Sequence, residues 1–332
     1  MPELRQNLAT KEWVIIATER AKRPEDFKKE KKEKKERPEY SPTCPFCPGN
    51  EKMAPAPVCE VLDNTGNWKI RVVPNKYAAV IPEGSTQRLI QGVVRKMDGV
   101  GHHEVIIETP VHNQCTALLP ASQVEEILKV YRLRYREIEK DSKVAQVIIF
   151  KNHGENAGTS LVHPHSQLVA TPVVPSQIRH HIEEAMIFYD DTGECVYCTM
   201  LYDELKAKER IVQESEHFAV IVPYAAYSPF YIWIIPKIHR ASFSQVSDEE
   251  LADLARVLKS TLEKLYYGLG DPDFNYVIRG APGEMSSAGY LHWHIVIVPR
   301  LTKTAGFELG SGMFINVSLP EENARFLREI EV

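Results

Sequence analysis

Residues 104–112 (EVIIETPVH) and residues 231–239 (YIWIIPKIH) follow one pattern, in which a short run of apolar, mainly β-branched residues leads through a proline to a histidine. Each stretch is followed by a second histidine that opens an H-x-H motif: His163 lies 51 residues beyond the first histidine, and His292 lies 53 residues beyond its counterpart. A recurring order of features at a nearly constant spacing is typical of a duplicated structural unit. The sequence therefore predicts two copies of one unit.

A C-x-x-C pair precedes each of these stretches, so two cysteines and two histidines recur in each half. This mixture of soft and borderline ligands suits tetrahedral Zn²⁺, and a closed set of four ligands predicts a structural site. The alternatives are redox pairs or free thiols at the cysteines and, in the second half, hydrogen-bonded core histidines. The predicted zinc ligands are Cys44, Cys47, His112 and His163 in the first half and Cys195, Cys198, His239 and His292 in the second.

Short apolar runs punctuated by proline or glycine predict strands, and two longer segments, 122–140 and 247–267, have helical periodicity. Short loops join neighbouring strands within each half, which favours antiparallel pairing and an α+β class, with antiparallel sheets and flanking helices. We expect an N-terminal domain over 1–175 and a C-terminal repeat over 176–332, with the linker inside 171–193. The predicted strands include residues 70–73, 104–107, 146–150, 218–222, 231–235 and 294–298.

The composition is that of a globular protein, with 43% apolar and 26% charged residues among 332. Because 40 Lys and Arg face 45 Asp and Glu, the net charge is −5 and nucleic acid is a poor candidate partner. No apolar run approaches the roughly 20 residues of a membrane helix, and the N-terminus lacks the apolar core of a signal peptide. The sequence predicts a cytoplasmic protein without a membrane partner, and it gives the charge run 28–37 no chemical role.

Residues 152–167 (NHGENAGTSLVHPHSQ) concentrate polar groups beside the first H-x-H motif. Because side chains alternate along a strand, His163, His165 and Gln167 point the same way. If zinc binds His163, His165 stays free, and a neutral imidazole is a competent nucleophile at phosphorus. The glycines of the loop allow backbone N–H groups to approach a phosphate closely. Phosphate contacts are predicted for Asn152, Ser160 and Gln167.

These motifs resemble those of the galactose-1-phosphate uridylyltransferase family, the nucleotidyltransferase branch of the histidine-triad superfamily. The resemblance covers nearly the whole chain and rests most specifically on the H-P-H-S-Q motif at 163–167. The other motifs that carry it are residues 7–14 (NLATKEWV), 20–24 (RAKRP) and 44–47 (CPFC), together with Asn75 and His112.

The resemblance implies two histidine-triad-like repeats and a ping-pong reaction. His165 attacks the α-phosphorus of a nucleotide sugar, a sugar 1-phosphate leaves, and a second phosphorylated acceptor takes the nucleotidyl group. The backbone carbonyl of His163 orients the nucleophile, while Arg23 and Asn75 reach the nucleotide or its phosphates. The family's active sites form at a dimer interface, which implies a homodimer.

Glutamine at position 167 favours transfer over hydrolysis. Related hydrolases carry a third histidine there, which can shuttle a proton, whereas a sugar phosphate leaves as a stabilised anion and needs none. In the second half, His294 stands where His165 does, but Ile295 and Val296 offer no phosphate ligand. We expect His294 to be structural or to face a nucleotide.

Two departures from the family pattern bear on the substrate. Ser166 stands where typical members have glycine, and residues 305–316 (AGFELGSGMFIN) resemble relatives that are ADP-glucose phosphorylases. Phe307 and Glu308 are candidates for contacts with a sugar or base. The first hypothesis is a UDP-glucose–hexose-1-phosphate uridylyltransferase with galactose 1-phosphate as acceptor. The second is an ADP-glucose phosphorylase that passes AMP to phosphate, and the third is a non-catalytic, zinc-stabilised nucleotide-binding protein.

Overall fold

A ten-stranded antiparallel β-sheet forms the centre of the computed structural model, which describes residues 1–20, 22–28 and 38–332. Fifteen strands lie in these ranges: β1 (Glu3–Gln6), β2 (Trp13–Ile16), β3 (Cys59–Leu62), β4 (Trp68–Pro74), β5 (Leu89–Gln91), β6 (Val94–Lys96), β7 (His102–Ile107), β8 (Gln146–His153), β9 (His165–Thr171), β10 (Ile211–Glu214), β11 (Phe218–Ile221), β12 (Ile232–Pro236), β13 (Phe274–Arg279), β14 (His294–Pro299) and β15 (Phe314–Asn316). The order across the large sheet is β10-β11-β12-β14-β13-β8-β9-β7-β4-β3.

The two repeats share this sheet. The first half supplies β3, β4, β7, β8 and β9, and the second half supplies β10 to β14. They join where β8 pairs with β13, with Asn275 opposite Asn152. A three-stranded sheet, β1-β2-β15, brings the two ends of the chain together, because β15 runs parallel to β2. Strands β5 and β6 form a separate hairpin.

Six α-helices flank the sheets in the described residues: α1 (Ala121–Ile138), α2 (Ser176–Thr192), α3 (Val196–Ala207), α4 (Asp248–Leu269), α5 (Gly306–Ser311) and α6 (Pro320–Glu329). Helices α1 and α4 pack against each other and against the large sheet. A capping box fixes the start of α4: Ser247 Oγ accepts from the Glu250 N–H at 3.1 Å, and Glu250 Oε2 accepts from the Ser247 N–H at 2.7 Å. None of the described helices is long and apolar enough to cross a membrane.

The α+β class is confirmed, and the six predicted strands and both predicted helices are present within three residues at each end. The segment 171–193, in which the linker is predicted, forms α2 over most of its length. This helix buries Ile182 and Ala185, and Gly193 is its left-handed C-cap, with φ of 74°, rather than part of a loop. Residues 29–37 of the charge run lie outside the described residues.

Candidate active site

His165 stands at the start of β9 with only 8% of its surface exposed. Its Nδ1 lies 2.8 Å from the backbone oxygen of His163. Because a carbonyl can only accept, the proton is on Nδ1 and the lone pair is on Nε2. Burial lowers the pKa of His165, and the nearby Lys151 ammonium lowers it further, although the His163 carbonyl opposes the shift. His165 therefore presents a neutral imidazole with an oriented, nucleophilic nitrogen.

A cleft of about 1060 Å³ opens beside His165, between β9 and the loop that follows β8. Asn152 and Ser160 line it, as the sequence predicts. The Asn275 amide donates to Asn152 Oδ1 at 2.7 Å. Because this contact occupies the oxygen of Asn152, the NH₂ group of Asn152 points elsewhere and can donate a hydrogen bond. Gly154 has a φ of +85°, and a Cβ there would overlap the Asp273 carboxylate, so the loop requires glycine. The cleft thus places hydrogen-bond donors near the nucleophile.

Gln167 is held by two side chains on its carbonyl side. His103 Nδ1 accepts from the Ala79 N–H at 3.0 Å, so His103 carries its proton on Nε2 and donates to Gln167 Oε1 at 2.8 Å. Asn75 Nδ2 lies 3.4 Å from the same oxygen. With Oε1 engaged, the Gln167 NH₂ group is left to donate to a substrate. Asn75 was predicted to reach the substrate directly, whereas here it contacts Gln167, and His103 was not singled out from the sequence.

A buried polar network lies beneath the nucleophile, on the opposite face of the sheet. Lys151 Nζ donates to Glu108 Oε2 at 2.5 Å and to the backbone oxygen of His165 at 3.2 Å, and both side chains are almost fully buried. Glu108 also accepts from Ser166 and from the Tyr131 hydroxyl. Burial raises the pKa of Glu108, but Lys151 and these hydroxyls lower it more, so the net pKa lies below the ordinary value. The network therefore holds an ion pair.

Lys151, Glu108 and Tyr131 were not predicted as functional residues. A lysine inside the β-branched run of β8 and a glutamate directly after β7 were the available signals, because charged residues in buried strands require partners.

The four predicted ligands of the first half meet in one cluster. Cys47 Sγ lies 3.5 Å from His112 Nδ1 and 3.6 Å from His163 Nδ1, and Cys44 Sγ lies 3.7 Å from His163 Nδ1. His163 Nε2 donates to the Thr109 carbonyl at 2.7 Å, which leaves Nδ1 as the ligand atom. Burial raises the pKa of the Cys44 thiol to about 11, a shift that a bound cation reverses. This cluster can hold a metal ion.

The second half forms an equivalent cluster, in which Cys195 occupies the N-cap position of α3 and Cys198 lies in its first turn. Cys198 Sγ is 3.4 Å from Nδ1 of both His239 and His292. All four ligand atoms in each cluster lie within 4.8 Å of one another. The structure thus brings together all eight predicted ligands in two groups.

Asn75 and Gln167 lie outside the lining of the cleft, and three further predicted substrate contacts also do not line the cleft of the same chain. Arg23 precedes a short 3₁₀-helix, where its backbone N–H donates to Asp26. Phe307 is 48% exposed on α5. Glu308 caps the same helix through the Ala305 N–H and lines a different cavity.

His294 repeats the local geometry of His165. Its Nδ1 lies 3.1 Å from the His292 carbonyl, and the side chain is 3% exposed. Burial lowers the pKa of His294 to about 3, and the Arg279 guanidinium contributes to that shift. Tyr197 and Trp233 pack against the ring, with centroids 5.2 and 4.7 Å away. His294 is therefore a buried, neutral imidazole enclosed by aromatic rings.

Comparison with known proteins places both halves in one family. Residues 1–175 match the family model for the galactose-1-phosphate uridyl transferase N-terminal domain, and residues 150–316 match that for its C-terminal domain. The chain is 38% identical over its full length to ADP-glucose phosphorylase of Arabidopsis thaliana, covering 93% of that protein. It is 32% identical, again over its full length, to galactose-1-phosphate uridylyltransferase of Thermotoga maritima, covering 99% of that protein.

A solved structure has the same fold. The crystal structure of an Arabidopsis thaliana ADP-glucose phosphorylase with bound ADP-glucose matches with a TM-score of 0.86 and 34% identity, covering 100% of this chain and 99% of that one.

Proposed function

This chain belongs to the galactose-1-phosphate uridylyltransferase family, a family of nucleotidyltransferases, and we propose that it transfers a nucleotidyl group through His165. The observation that carries the proposal is the hydrogen bond that fixes the Nδ1 proton of His165 on the His163 carbonyl and directs the Nε2 lone pair toward the cleft. His294 makes the same kind of hydrogen bond, but Ile295 and Val296 follow it, whereas His165 is followed by Ser166 and Gln167 and so has a phosphate donor beside it.

The reaction has two displacements at phosphorus. His165 Nε2 forms a bond to the α-phosphorus of a nucleotide sugar, and the bond from that phosphorus to the bridging oxygen breaks. The sugar 1-phosphate leaves with the electron pair of the broken bond. A phosphate oxygen of the acceptor then attacks the same phosphorus and displaces the imidazole. Asn152, Ser160 and Gln167 are neutral donors for the phosphoryl oxygens, on which negative charge accumulates.

Two donor–acceptor pairs have specific support. UDP-glucose with galactose 1-phosphate is favoured by the name that most of the relatives carry. ADP-glucose with inorganic phosphate is favoured by the higher identity, 38% against 32%, to a relative named ADP-glucose phosphorylase. The segment 305–316 also favours the second pair.

The intact mass of the protein after brief exposure to each nucleotide sugar tests the function and distinguishes the two pairs. A uridylyl increment from UDP-glucose that galactose 1-phosphate discharges supports the uridylyltransferase. An adenylyl increment from ADP-glucose that inorganic phosphate discharges supports the phosphorylase. Absence of an increment with both donors, in protein with its full metal content, contradicts the covalent mechanism.

We propose that both Cys₂His₂ clusters hold structural zinc. A tetrahedral zinc ion with bonds of about 2.3 Å to sulfur and about 2.0 Å to nitrogen separates neighbouring sulfur and nitrogen ligands by about 3.5 Å. The sulfur–nitrogen distances of 3.4–3.7 Å in the two clusters agree with that geometry. When bound, zinc ties the loop around Cys44 to the strand that carries His163 and so fixes the carbonyl that orients His165.

Purified protein is expected to hold about two zinc ions per chain, measured by elemental mass spectrometry. Cys44→Ser and Cys198→Ser should each lose about one, since each removes a thiolate from a different four-ligand site. Cys59 lies outside both clusters, so Cys59→Ser is the matched control and should keep both ions. Unchanged zinc in Cys44→Ser contradicts the first site.

A homodimer accounts for three of the predicted contacts that do not line the cleft. We propose that Arg23, Phe307 and Glu308 of one chain contribute to the active site of a second copy, as the family resemblance implies. Phe307 is exposed, which leaves it available for such a contact.

Replacing His103 with alanine is expected to lower kcat for nucleotidyl transfer by roughly tenfold with a smaller change in KM. Gln167 then loses the donor that holds its carbonyl oxygen, and its amide can rotate away from the phosphoryl oxygen. Steady-state kinetics with both nucleotide-sugar donors measures the changes in kcat and KM separately. His102→Ala is the control, because His102 pairs with Asp141 at 2.9 Å and does not contact Gln167. Equal losses in the two variants contradict the orienting role.

A further inference from the structure

The second repeat contains a cavity of about 460 Å³ on the same side of the sheet as His294. Its floor is formed by β12, β13 and β14, and α2, α3 and the N-terminal segment contribute to its walls. It corresponds by repeat to the catalytic cleft, because His294 stands at the position of His165. Arg279 pairs with His294 across β13 and β14. In the first repeat, β8 and β9 pair up to Phe150 opposite Gln167, and continuing that register by two residues places Asn152 opposite His165. Arg279 thus replaces a neutral phosphate contact with a cation.

Three buried polar atoms that line this cavity have no hydrogen-bond partner among the residues that the structure describes: His181 Nε2, Ser228 Oγ and Trp233 Nε1. Each side chain is at least nine-tenths buried. Arg279 Nη1 lies 3.2 Å from His181 Nδ1, so Nδ1 accepts and the His181 proton is on Nε2. All three atoms can therefore donate a hydrogen bond, and buried donors in native proteins are nearly always satisfied.

The charges in the cavity favour an anionic partner. No carboxylate in the described ranges forms a salt bridge with Arg279, and Glu12 Oε1 lies 3.9 Å from His181 Nε2, beyond hydrogen-bond distance. The cationic side chains in the lining are Arg279, Arg300 and Lys303, and the carboxylates are Glu12 and Glu308. Glu308 is engaged by the Ala305 N–H and Arg300 by Asn275, whereas Arg279 contacts the neutral ring of His181 and forms no salt bridge within the described residues. Unpaired donors around this cation match the oxygen atoms of a phosphate.

The remaining walls are aromatic. Tyr197, Tyr227, Tyr231 and Trp233 all contribute, and the rings of Tyr227 and Tyr231 have centroids 4.3 Å apart. Such walls suit a planar ring, and the volume falls within the range of small-ligand sites. Glu12 offers an acceptor for a hydroxyl or amino group of the same ligand.

We propose that this cavity is a second binding site, which takes a phosphate monoester that carries an aromatic ring, such as a nucleoside monophosphate. The phosphate contacts Arg279, His181 Nε2–H and Trp233 Nε1–H, and the ring lies against the tyrosines. The site is separate from the cleft at His165 and does not depend on the reaction proposed there.

Equilibrium dialysis of the zinc-loaded protein with AMP tests the proposal. Wild-type protein is expected to bind about two equivalents per chain, one in each site, and Arg279→Met about one, because its second site is weakened at least about tenfold. Arg279→Lys should restore part of the affinity, and Lys129→Met, which removes an exposed cation on α1 outside both cavities, is the control that keeps both equivalents. One equivalent in wild type, unchanged in Arg279→Met, overturns the proposal.

A second measurement does not require the arginine variants to fold. The indole N–H resonance of Trp233, assigned with Trp233→Phe, should shift when AMP is added to wild-type protein, and inorganic phosphate and glucose 1-phosphate should shift it only at much higher concentration. Equal potency of the three compounds overturns the assignment of an aromatic ester. An unmoved resonance at saturating AMP overturns the site itself.

Discussion

Replacing His165 with alanine is expected to lower the rate of nucleotidyl transfer by about 10⁴-fold or more, since the reaction loses the nitrogen that forms the covalent intermediate. Binding of the nucleotide sugar should change much less, because Asn152, Ser160 and Gln167 remain to contact the phosphates. The experiment measures transfer of a radiolabelled nucleotidyl group from each donor to its acceptor, together with the Kd of the donor. A large loss of rate with a retained Kd identifies His165 as the nucleophile.

Two further variants make this result specific. His165→Asn can still donate a hydrogen bond toward the His163 carbonyl but has no nucleophilic ring nitrogen, so it should be as inactive as alanine. His180 is exposed on α2, outside the cleft, and His180→Ala should keep the wild-type rate. If His165→Asn retains about a tenth of the wild-type rate, the imidazole is not the nucleophile.

The sequence predicts the candidate metal clusters well because metal chemistry restricts the residue types. A four-ligand site needs thiolates and imidazoles from separate parts of the chain, and these residues are few enough that their repeated order reveals the grouping. The structure brings Cys44 and Cys47 to His112 and His163, and it repeats the arrangement in the second half. The strands can also be predicted from the sequence, because runs such as 146–150 carry β-branched residues at successive positions.

Contacts between strands that are distant in the sequence are harder to predict. The pairing of β8 with β13, which merges two repeats into one sheet, joins Asn152 to Asn275 across 123 residues and leaves no local pattern. His103 can donate to Gln167 because its other ring nitrogen accepts from the Ala79 N–H. The position of that backbone group cannot be predicted from the type of residue. Helix α2 was not predicted, because the two prolines before it and the Asp-Asp-Thr-Gly sequence at its end indicated a linker, although they mark the ends of a helix.

Replacing Lys151 with methionine is expected to destabilise the protein by about 3–5 kcal/mol, because it leaves the Glu108 carboxylate buried without its counter-charge. Lys151 is 2% exposed and Glu108 is 0% exposed, so water cannot replace the lost partner. The denaturant midpoint of the zinc-loaded protein reports the loss. The change also removes the donor to the His165 carbonyl, so the rate of nucleotidyl transfer should fall as well.

The pH dependence of this loss follows from the pKa of Glu108. In the wild type that pKa is lowered, so the contribution of the ionised carboxylate to stability is complete above the ordinary value of 4.5 and is lost as the pH falls through the lower, folded value. Without Lys151, burial raises the pKa of Glu108 instead, and the variant gains stability relative to the wild type as acid protonates the carboxyl group. The difference between the two proteins should therefore be largest near neutral pH. It should shrink as the pH falls from the raised pKa of Glu108 in the variant, which lies above 4.5, to the lowered pKa in the wild type.

An exposed ion pair in the same protein supplies the matched control. Lys129 and Glu125 pair on the surface of α1 with side chains 44% and 29% exposed, and Lys129→Met should change the free energy of unfolding by less than about 0.5 kcal/mol. Both variants remove one lysine charge and introduce the same side chain, so the difference between them isolates burial. If Lys151→Met costs no more than Lys129→Met at neutral pH, the ammonium group of Lys151 does not stabilise the buried Glu108 carboxylate.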